Sequence, residues 1–309
     1  MSLAFVFPGQ GSQSIGMMNA LAESFASIKE TFAQASSVLG YDLWQVITEG
    51  PEEKLNSTDV TQPVMLTAGV ATWRVWLTQG GAKPAMMAGH SLGEYTALVC
   101  AGALAFDDAV KLVAARGQYM QAAVPKGTGA MAAILGLDDA DVIAVCNEAA
   151  QNDIVQAVNF NSPGQVVVAG NKAAVERATE IAKAKGAKRA VILPVSVPSH
   201  CQLMKPAADK LAADLSQITI QAPEISVINN VDVKSPADAD AIRDALARQL
   251  YQPVRWVEVV QAMVKNGVNN IVECGQGKVL VGLNKRIDKT ITHSAITDAE
   301  SLKACLTTA

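Results

Sequence analysis

The sequence predicts an α/β protein in which a large domain with a parallel sheet carries a smaller inserted one. Three observations lead there: strand-like apolar runs alternate with helical patterning, the rhythm changes after Gly129, and 309 residues suffice for about two domains of roughly 150 residues each. With 50% hydrophobic and 17% charged residues and a mean hydropathy of +0.20, disorder is excluded as the main state. The longest largely apolar run, residues 95–106, closes at Asp107 and Asp108 and is too short to span a bilayer. No basic segment precedes the first apolar residues, so the N-terminus reads as a strand rather than a secretory signal.

Each element follows from its own pattern. Residues 3–7 form a short apolar run, a buried strand, before the turn-rich Pro8-Gly9-Gln10-Gly11-Ser12-Gln13, and helical spacing begins near Met17. Thr61-Gln62-Pro63 precedes an apolar helix that runs to about Gln79. Residues 85–88 read as a compact strand, and 94–101 and 107–123 as helices. From Gly129 the order becomes strand 130–135, helix 140–150, strand 155–160, a turn at Asn161-Ser162-Pro163-Gly164, strand 165–169, helix 173–185 and strand 189–195. That β-α-β-β-α-β order is the ferredoxin-like unit. Pro125-Lys126-Gly127 and Val197-Pro198 flank it and set the expected boundaries: 125–196 for the small domain, 1–124 and 197–309 for the large one. The large domain resumes with a helix from about Cys201 to Gln217, a strand at 225–229, a helix at 238–250 and a strand at 270–274 running into Gly275-Gln276-Gly277.

Charge and cysteine usage bound the function. A formal charge of −4, with Lys and Arg scattered, argues against a nucleic-acid partner. Five cysteines without a C-x-x-C pair suggest neither a disulfide framework nor a zinc knuckle, and they fit a reducing cytoplasm as the expected location.

The sharpest chemical signal is Gly89-His90-Ser91-Leu92-Gly93, a G-x-S-x-G pattern between a predicted strand and a predicted helix. Such an elbow exposes the serine hydroxyl on a sharp turn, and its glycines remove Cβ atoms that would clash. The helix start offers the N–H of Leu92 and a favourable dipole to an oxyanion. This context makes the expected large domain α/β-hydrolase-like; the plainer reading is a Gly-Ser turn. A serine needs a base, and the chain holds three histidines. His90 adjoins the serine, where neighbouring side chains diverge, and His293 sits in a strand-like stretch without special surroundings. His200 follows an extended segment and opens a helix with Ser199 and Gln202 as a capping box, at the positive helix end that favours a neutral ring. Taken alone, a histidine at a helix start is more often structural than catalytic. Cys201 beside it is expected to point elsewhere and not to act as the nucleophile.

Arg116 lies on the apolar face of the 107–123 helix, four residues from both Leu112 and Met120. A buried guanidinium needs an anionic partner, either a protein carboxylate or a carboxylate-bearing substrate. Two phosphate-site patterns fail. Gly11-Ser12-Gln13-Ser14-Ile15-Gly16 is followed by Met17-Met18 instead of Lys-Ser/Thr, and Ser14 takes the last place of the G-x-G-x-x-G that Gly9-Gln10-Gly11 begins. Residues 8–13 instead offer backbone N–H groups to an oxyanion.

Phe7-Pro8-Gly9-Gln10-Gly11-Ser12-Gln13, Gly89-His90-Ser91-Leu92-Gly93-Glu94, Arg116-Gly117, Asn159-Phe160-Asn161-Ser162-Pro163-Gly164-Gln165, Val197-Pro198-Ser199-His200 and Gln249-Leu250-Tyr251-Gln252-Pro253-Val254 occur in one order. As a set, over essentially the whole chain, they resemble the malonyl-CoA:acyl carrier protein transacylase family, discrete bacterial enzymes of fatty-acid synthesis. The resemblance implies a Ser91 nucleophile, a His200 base, an oxyanion hole from the backbone N–H groups of Gln10 and Leu92, and Arg116 holding the malonyl carboxylate. It further implies that the main-chain carbonyl of Gln249 orients His200 in place of an acidic residue, so the Gln249 amide is expected to matter little. Met120, Asn161, Val195 and Val279 join Gln10 and Arg116 as expected substrate-binding residues. Gln276 stands where the family usually carries proline.

The expected reaction is transfer of a malonyl group from malonyl-CoA to the pantetheine thiol of acyl carrier protein through a malonyl-serine, in a cleft between the domains. No metal or redox cofactor, nucleic acid or membrane is expected to take part, and the chain is expected to be a monomer. Lys185, Lys188, Arg189, Lys285 and Arg286 form a candidate docking patch for an acidic carrier. One rival is a serine esterase or thioesterase, which would need an acid, His293 as a late base and an HGGG-like loop that is missing. The other is a non-catalytic binding protein that keeps the fold.

Overall fold

The computed structural model describes residues 2–195 and 197–308. Among them, the strands are β1 (Leu3–Phe7), β2 (Met86–Gly89), β3 (Gly129–Leu135), β4 (Val155–Ser162), β5 (Gln165–Asn171), β6 (Arg189–Ile192), β7 (Ser226–Ile228), β8 (Asn270–Cys274) and β9 (Thr292–Ile296). A parallel sheet has the order β7-β2-β1-β8-β9, and a separate antiparallel sheet the order β4-β5-β3-β6. The predicted α/β class with a parallel sheet is borne out.

Central β1 is buried at every position, which is why its sequence is continuously apolar instead of alternating. On one face Phe5 meets Trp73 and Trp76 edge-on, ring centroids 5.3 and 5.0 Å apart. On the other, Ala4 and Val6 pack into a cluster with Trp256, Val259 and Val260. The antiparallel sheet has its own core, where Ile134, Val166 and Val168 meet Val142 and Val145 of helix Asp139–Ala150 and Val175 and Ala178 of helix Lys172–Ala184.

Four expectations are corrected. The helix expected after Pro63 runs from Thr58 to Thr78 with Pro63 inside it. Proline at this depth removes one N–H near the helix start, and the Thr61 hydroxyl ties that turn to the carbonyls of Leu55 and Ser57, at 2.5 and 3.0 Å. The helix expected from Cys201 is a 3₁₀ turn, Gln202–Met204, followed by the α-helix Lys205–Gln217. Pro206 suits that start, because a proline in the first α-helical turn costs no intrahelical hydrogen bond. The turn at residues 161–164 shrinks to Pro163-Gly164, with Asn161 and Ser162 inside β4, while β6 stops at Ile192 short of Val195.

β4 reaches the rest of the molecule through Val254: Phe160 N–H donates to its carbonyl at 3.0 Å, and its own N–H donates to Val158 at 2.8 Å. Asn161 of β4 also meets His90, the residue directly after β2, at 2.8 Å, which sets the antiparallel sheet beside the carboxyl ends of the parallel strands, where open α/β sheets place their ligand crevices. No helix among the described residues is long and apolar enough to cross a membrane.

Candidate active site

Phe7 of β1 lies opposite Gly89 of β2, so the loops leaving both carboxyl ends stand side by side. A Cβ on Gly89 would fall 1.8 Å from the Gly93 carbonyl carbon, and one on Gly93 would fall 2.0 Å from the Phe7 oxygen. Only glycine fits at either place. Ser91 between them has φ +51°, a left-handed conformation that neighbouring groups must hold. His90 N–H donates to Phe7, Gly93 N–H to His90, and Ser91 N–H to the Asn230 side-chain oxygen at 2.8 Å. Among the described residues no protein acceptor takes the N–H of Gln10 or of Leu92, leaving both donors free beside the serine.

The loop before the 3₁₀ turn brings His200 to this elbow. Its φ is +66°, and Ser199 does not cap a helix, its hydroxyl reaching only the Val197 carbonyl at 3.5 Å, so the expected capping box is absent. His200 Nε2 lies 2.8 Å from Ser91 Oγ, and Nδ1 lies 2.7 Å from the main-chain oxygen of Gln249. A carbonyl only accepts, so Nδ1 carries the proton and Nε2 is left to accept from the serine hydroxyl. Burial pushes the imidazole pKa down to about 3, with the Arg116 charge adding to it. The ring is neutral, as expected, but through desolvation and not through a helix end.

Arg116, on helix Phe106–Ala122, is 1% exposed. Its Nη1 donates to Gln62 Oε1 at 2.8 Å, and its Nη2 donates to Gln249 Oε1 at 3.1 Å and Ser91 Oγ at 3.3 Å; Nε has no partner. No carboxylate among the described residues pairs with it, so of the two sequence readings a protein ion pair is not realised.

Ser91, His200, Arg116 and Gln62 line a cavity of about 640 Å³ that also takes in Leu92, expected in the oxyanion hole, and Gln10, Met120, Asn161, Val195 and Val279, the other expected substrate-binding residues. His90, read from sequence as structural, lines it too, with Nε2 2.8 Å from Asn161 Oδ1. His293 is outside, its Nε2 donating to the Asp288 carbonyl at 2.7 Å. Cys201 is buried, its thiol donating to Pro198 and pushed up to about 12 by burial. Besides the carbonyl that faces His200, the Gln249 side chain is engaged: its amide Nε2 donates to Ser91 O at 3.0 Å and Glu94 Oε2 at 2.8 Å while Oε1 accepts from Arg116. Sequence reasoning missed Gln62 and Asn230 as members of the site. Their signal was weak, since a buried Gln or Asn carries no spacing pattern.

The acyl transferase domain family model matches residues 4–295. A malonyl CoA-acyl carrier protein transacylase of Salmonella typhimurium is 61% identical over 304 residues, 98% of each chain, and one of Bacillus subtilis is 43% identical over 99% of this chain and 96% of its own. This chain belongs to the malonyl CoA-acyl carrier protein transacylases. The solved transacylase from Coxiella burnetii superposes with a TM-score of 0.98 at 52% identity, covering 99% of this chain and 97% of that one. A malonyl-transacylase solved in complex with its type II PKS acyl-carrier protein superposes over 100% of both chains with a TM-score of 0.99 at 57% identity. This transacylase keeps the fold despite Gln276: Gly275 and Gly277, at φ +128° and +90°, still shape the loop into helix Val279–Ile287.

Proposed function

We propose that this transacylase moves a malonyl group from malonyl-CoA to the pantetheine thiol of acyl carrier protein through a malonyl ester on Ser91. His200 Nε2 takes the hydroxyl proton as Ser91 Oγ attacks the thioester carbonyl, and the oxyanion faces the N–H groups of Gln10 and Leu92. Collapse breaks the C–S bond, and the CoA thiolate leaves with the proton from His200. The carrier thiol then gives its proton to His200 and attacks the ester, and Ser91 recovers its proton as it leaves. Gln249, through its carbonyl, keeps His200 in the tautomer both halves require.

The observation that carries the malonyl reading is Arg116, buried without a carboxylate partner and 3.3 Å from the attacking oxygen. A substrate carboxylate completes that charge in a fork a point charge cannot match. Met120, Asn161, Val195 and Val279 are assigned to the walls that receive the acyl and pantetheine chain. The strand order β4-β5-β3-β6 supports a ferredoxin-like unit at 125–196, and the elbow on a parallel sheet supports an α/β-hydrolase-like unit at 1–124 and 197–309. Of the five proposed docking cations, Lys185 is paired with Glu148 at 3.0 Å, and Arg286 donates to Gln165 at 2.7 Å.

The test is product analysis with malonyl-CoA and a holo acyl carrier protein. Malonyl-carrier and free CoA should form in equal amounts. Free malonate without carrier acylation would mark a thioesterase.

A further inference from the structure

Near the buried Arg116 the described residues hold an acid that the reaction steps leave unused. Glu94, on helix Gly93–Cys100, is 2% exposed and does not touch the guanidinium. Between them stands the Gln249 amide: Nε2 donates to Glu94 Oε2 at 2.8 Å, and Oε1 accepts from Arg116 Nη2 at 3.1 Å. The amide cannot turn around without cost. A carboxylate only accepts and a guanidinium only donates, so a flipped amide would meet both with the wrong atom. Ser91 O and Asn230 Oδ1, at 3.0 and 3.4 Å, also face Nε2 and reinforce the same orientation. Glu94 Oε2 further accepts the Asn230 N–H at 2.9 Å, and Asn230 holds Ser91 N–H and the Gly89 carbonyl. One buried network thus joins the nucleophile turn, the residue that orients the base, and the guanidinium.

A direct Arg–Glu fork would occupy the donors that a substrate carboxylate needs. The neutral amide prevents that. It gives Arg116 a polarised acceptor, while Nε remains buried without a partner. Burial lifts the Glu94 carboxyl to about 7, held down by its bonds from Asn230 and Gln249 and by Arg116, so it is predominantly ionised at pH 8.

We propose that Glu94 is a positioning residue for malonyl selectivity, holding Arg116 on aim through the side-chain amide of Gln249 as a neutral spacer. The proposal rests on the acyl-transfer reading above. Its test compares kcat/KM at pH 8 for malonyl-CoA and acetyl-CoA, with holo acyl carrier protein, in wild type, Glu94→Gln, Glu94→Met and Gln249→Glu. In Glu94→Gln the amide oxygen can still accept from Asn230 and Gln249, so the malonyl-to-acetyl ratio should stay within about threefold of wild type. Glu94→Met lets the Gln249 amide turn, and the ratio should fall about tenfold or more, the scale of losing one charge-assisted hydrogen bond. Gln249→Glu replaces the spacer with a carboxylate that pairs with Arg116 directly. One of its oxygens pairs with the buried guanidinium while the other takes the place of Nε2 against Glu94 Oε2, where a proton shared between the two acids must bridge them, and the ratio should fall as far. That variant decides the matter if Glu94→Met does not fold. Equal losses for both thioesters in Glu94→Met and Gln249→Glu, or a ratio that collapses in Glu94→Gln as far as in Glu94→Met, would overturn the proposal. A wild-type chain that transfers no malonyl group would instead overturn the functional reading itself.

Discussion

At the residue scale, the base role proposed for His200 needs a neutral imidazole in the resting protein, and burial keeps it neutral. Its pKa falls to about 3, so as pH drops below the ordinary imidazole value the unfolded chain takes up a proton that the native one refuses. Stability from this group is therefore complete above pH 6.5 and lost progressively as acid is added. Nitrogen-15 NMR of labelled histidine should find His200 neutral and protonated at Nδ1 down to pH 5, whereas a midpoint near 6.5 would mean that the ring is solvated. His200→Ala should slow acylation by roughly 10²–10⁴-fold, while His293→Ala, outside the cavity, should be nearly neutral in the same stopped-flow assay. Leaving a malonyl carboxylate buried without Arg116 should cost about 3–5 kcal/mol, so Arg116→Ala should lose on the order of 10²–10³ or more in kcat/KM for malonyl-CoA. Acetyl-CoA should suffer far less, and Arg116→Lys should recover only part of the malonyl rate. An equal fall for both thioesters would make Arg116 a support of the fold.

At the element scale, helix Val279–Ile287 starts from a buried acid. Glu273 at the end of β8 accepts the Val281 N–H at 2.8 Å, its other oxygen has no partner, and burial lifts its pKa to about 7. A raised carboxyl stabilises the fold most below the unfolded pKa, and the contribution is lost as pH rises through 7. The stability of Glu273→Gln relative to wild type should therefore grow between pH 5 and 7, by up to about 1.4 kcal/mol per pH unit in urea titrations. A constant difference would show that Glu273 is ionised throughout. Such buried acids were not legible from sequence, because nothing in the spacing of Glu94 or Glu273 marks them as dry. The elbow was legible, since Gly89 and Gly93 are required by backbone contacts that the strand-helix context implies. The capping box at Ser199 was not: a local pattern that fails because the α-helix starts four residues beyond Cys201, with Pro206 in its first turn. Asn161 was placed in a turn because Asn-Ser-Pro-Gly reads as one, yet pairing with β5 extends the strand through it.

At the scale of the whole molecule, the sequence order of strands and helices sufficed for the class and for the change of rhythm at Gly129, because β1, buried on both faces, is continuously apolar and the elements after Gly129 run strand, helix, strand, strand, helix, strand. What brings Ser91, Arg116, His200 and Gln249 to one point is tertiary: four separate segments meet at the carboxyl ends of β1 and β2, beside β4. No pairwise spacing encodes that meeting, and the recurrence of family motifs supplied it. The central claim is that the malonyl group rests on Ser91 between its two carriers. Intact mass after brief exposure to malonyl-CoA, with peptide mapping and a chase with holo acyl carrier protein, tests it most directly. One malonyl adduct should map to Ser91, vanish onto the carrier in the chase, and be absent from Ser91→Ala. An adduct that persists in Ser91→Ala, on Cys201 or elsewhere, or one that the carrier cannot remove, would contradict the account.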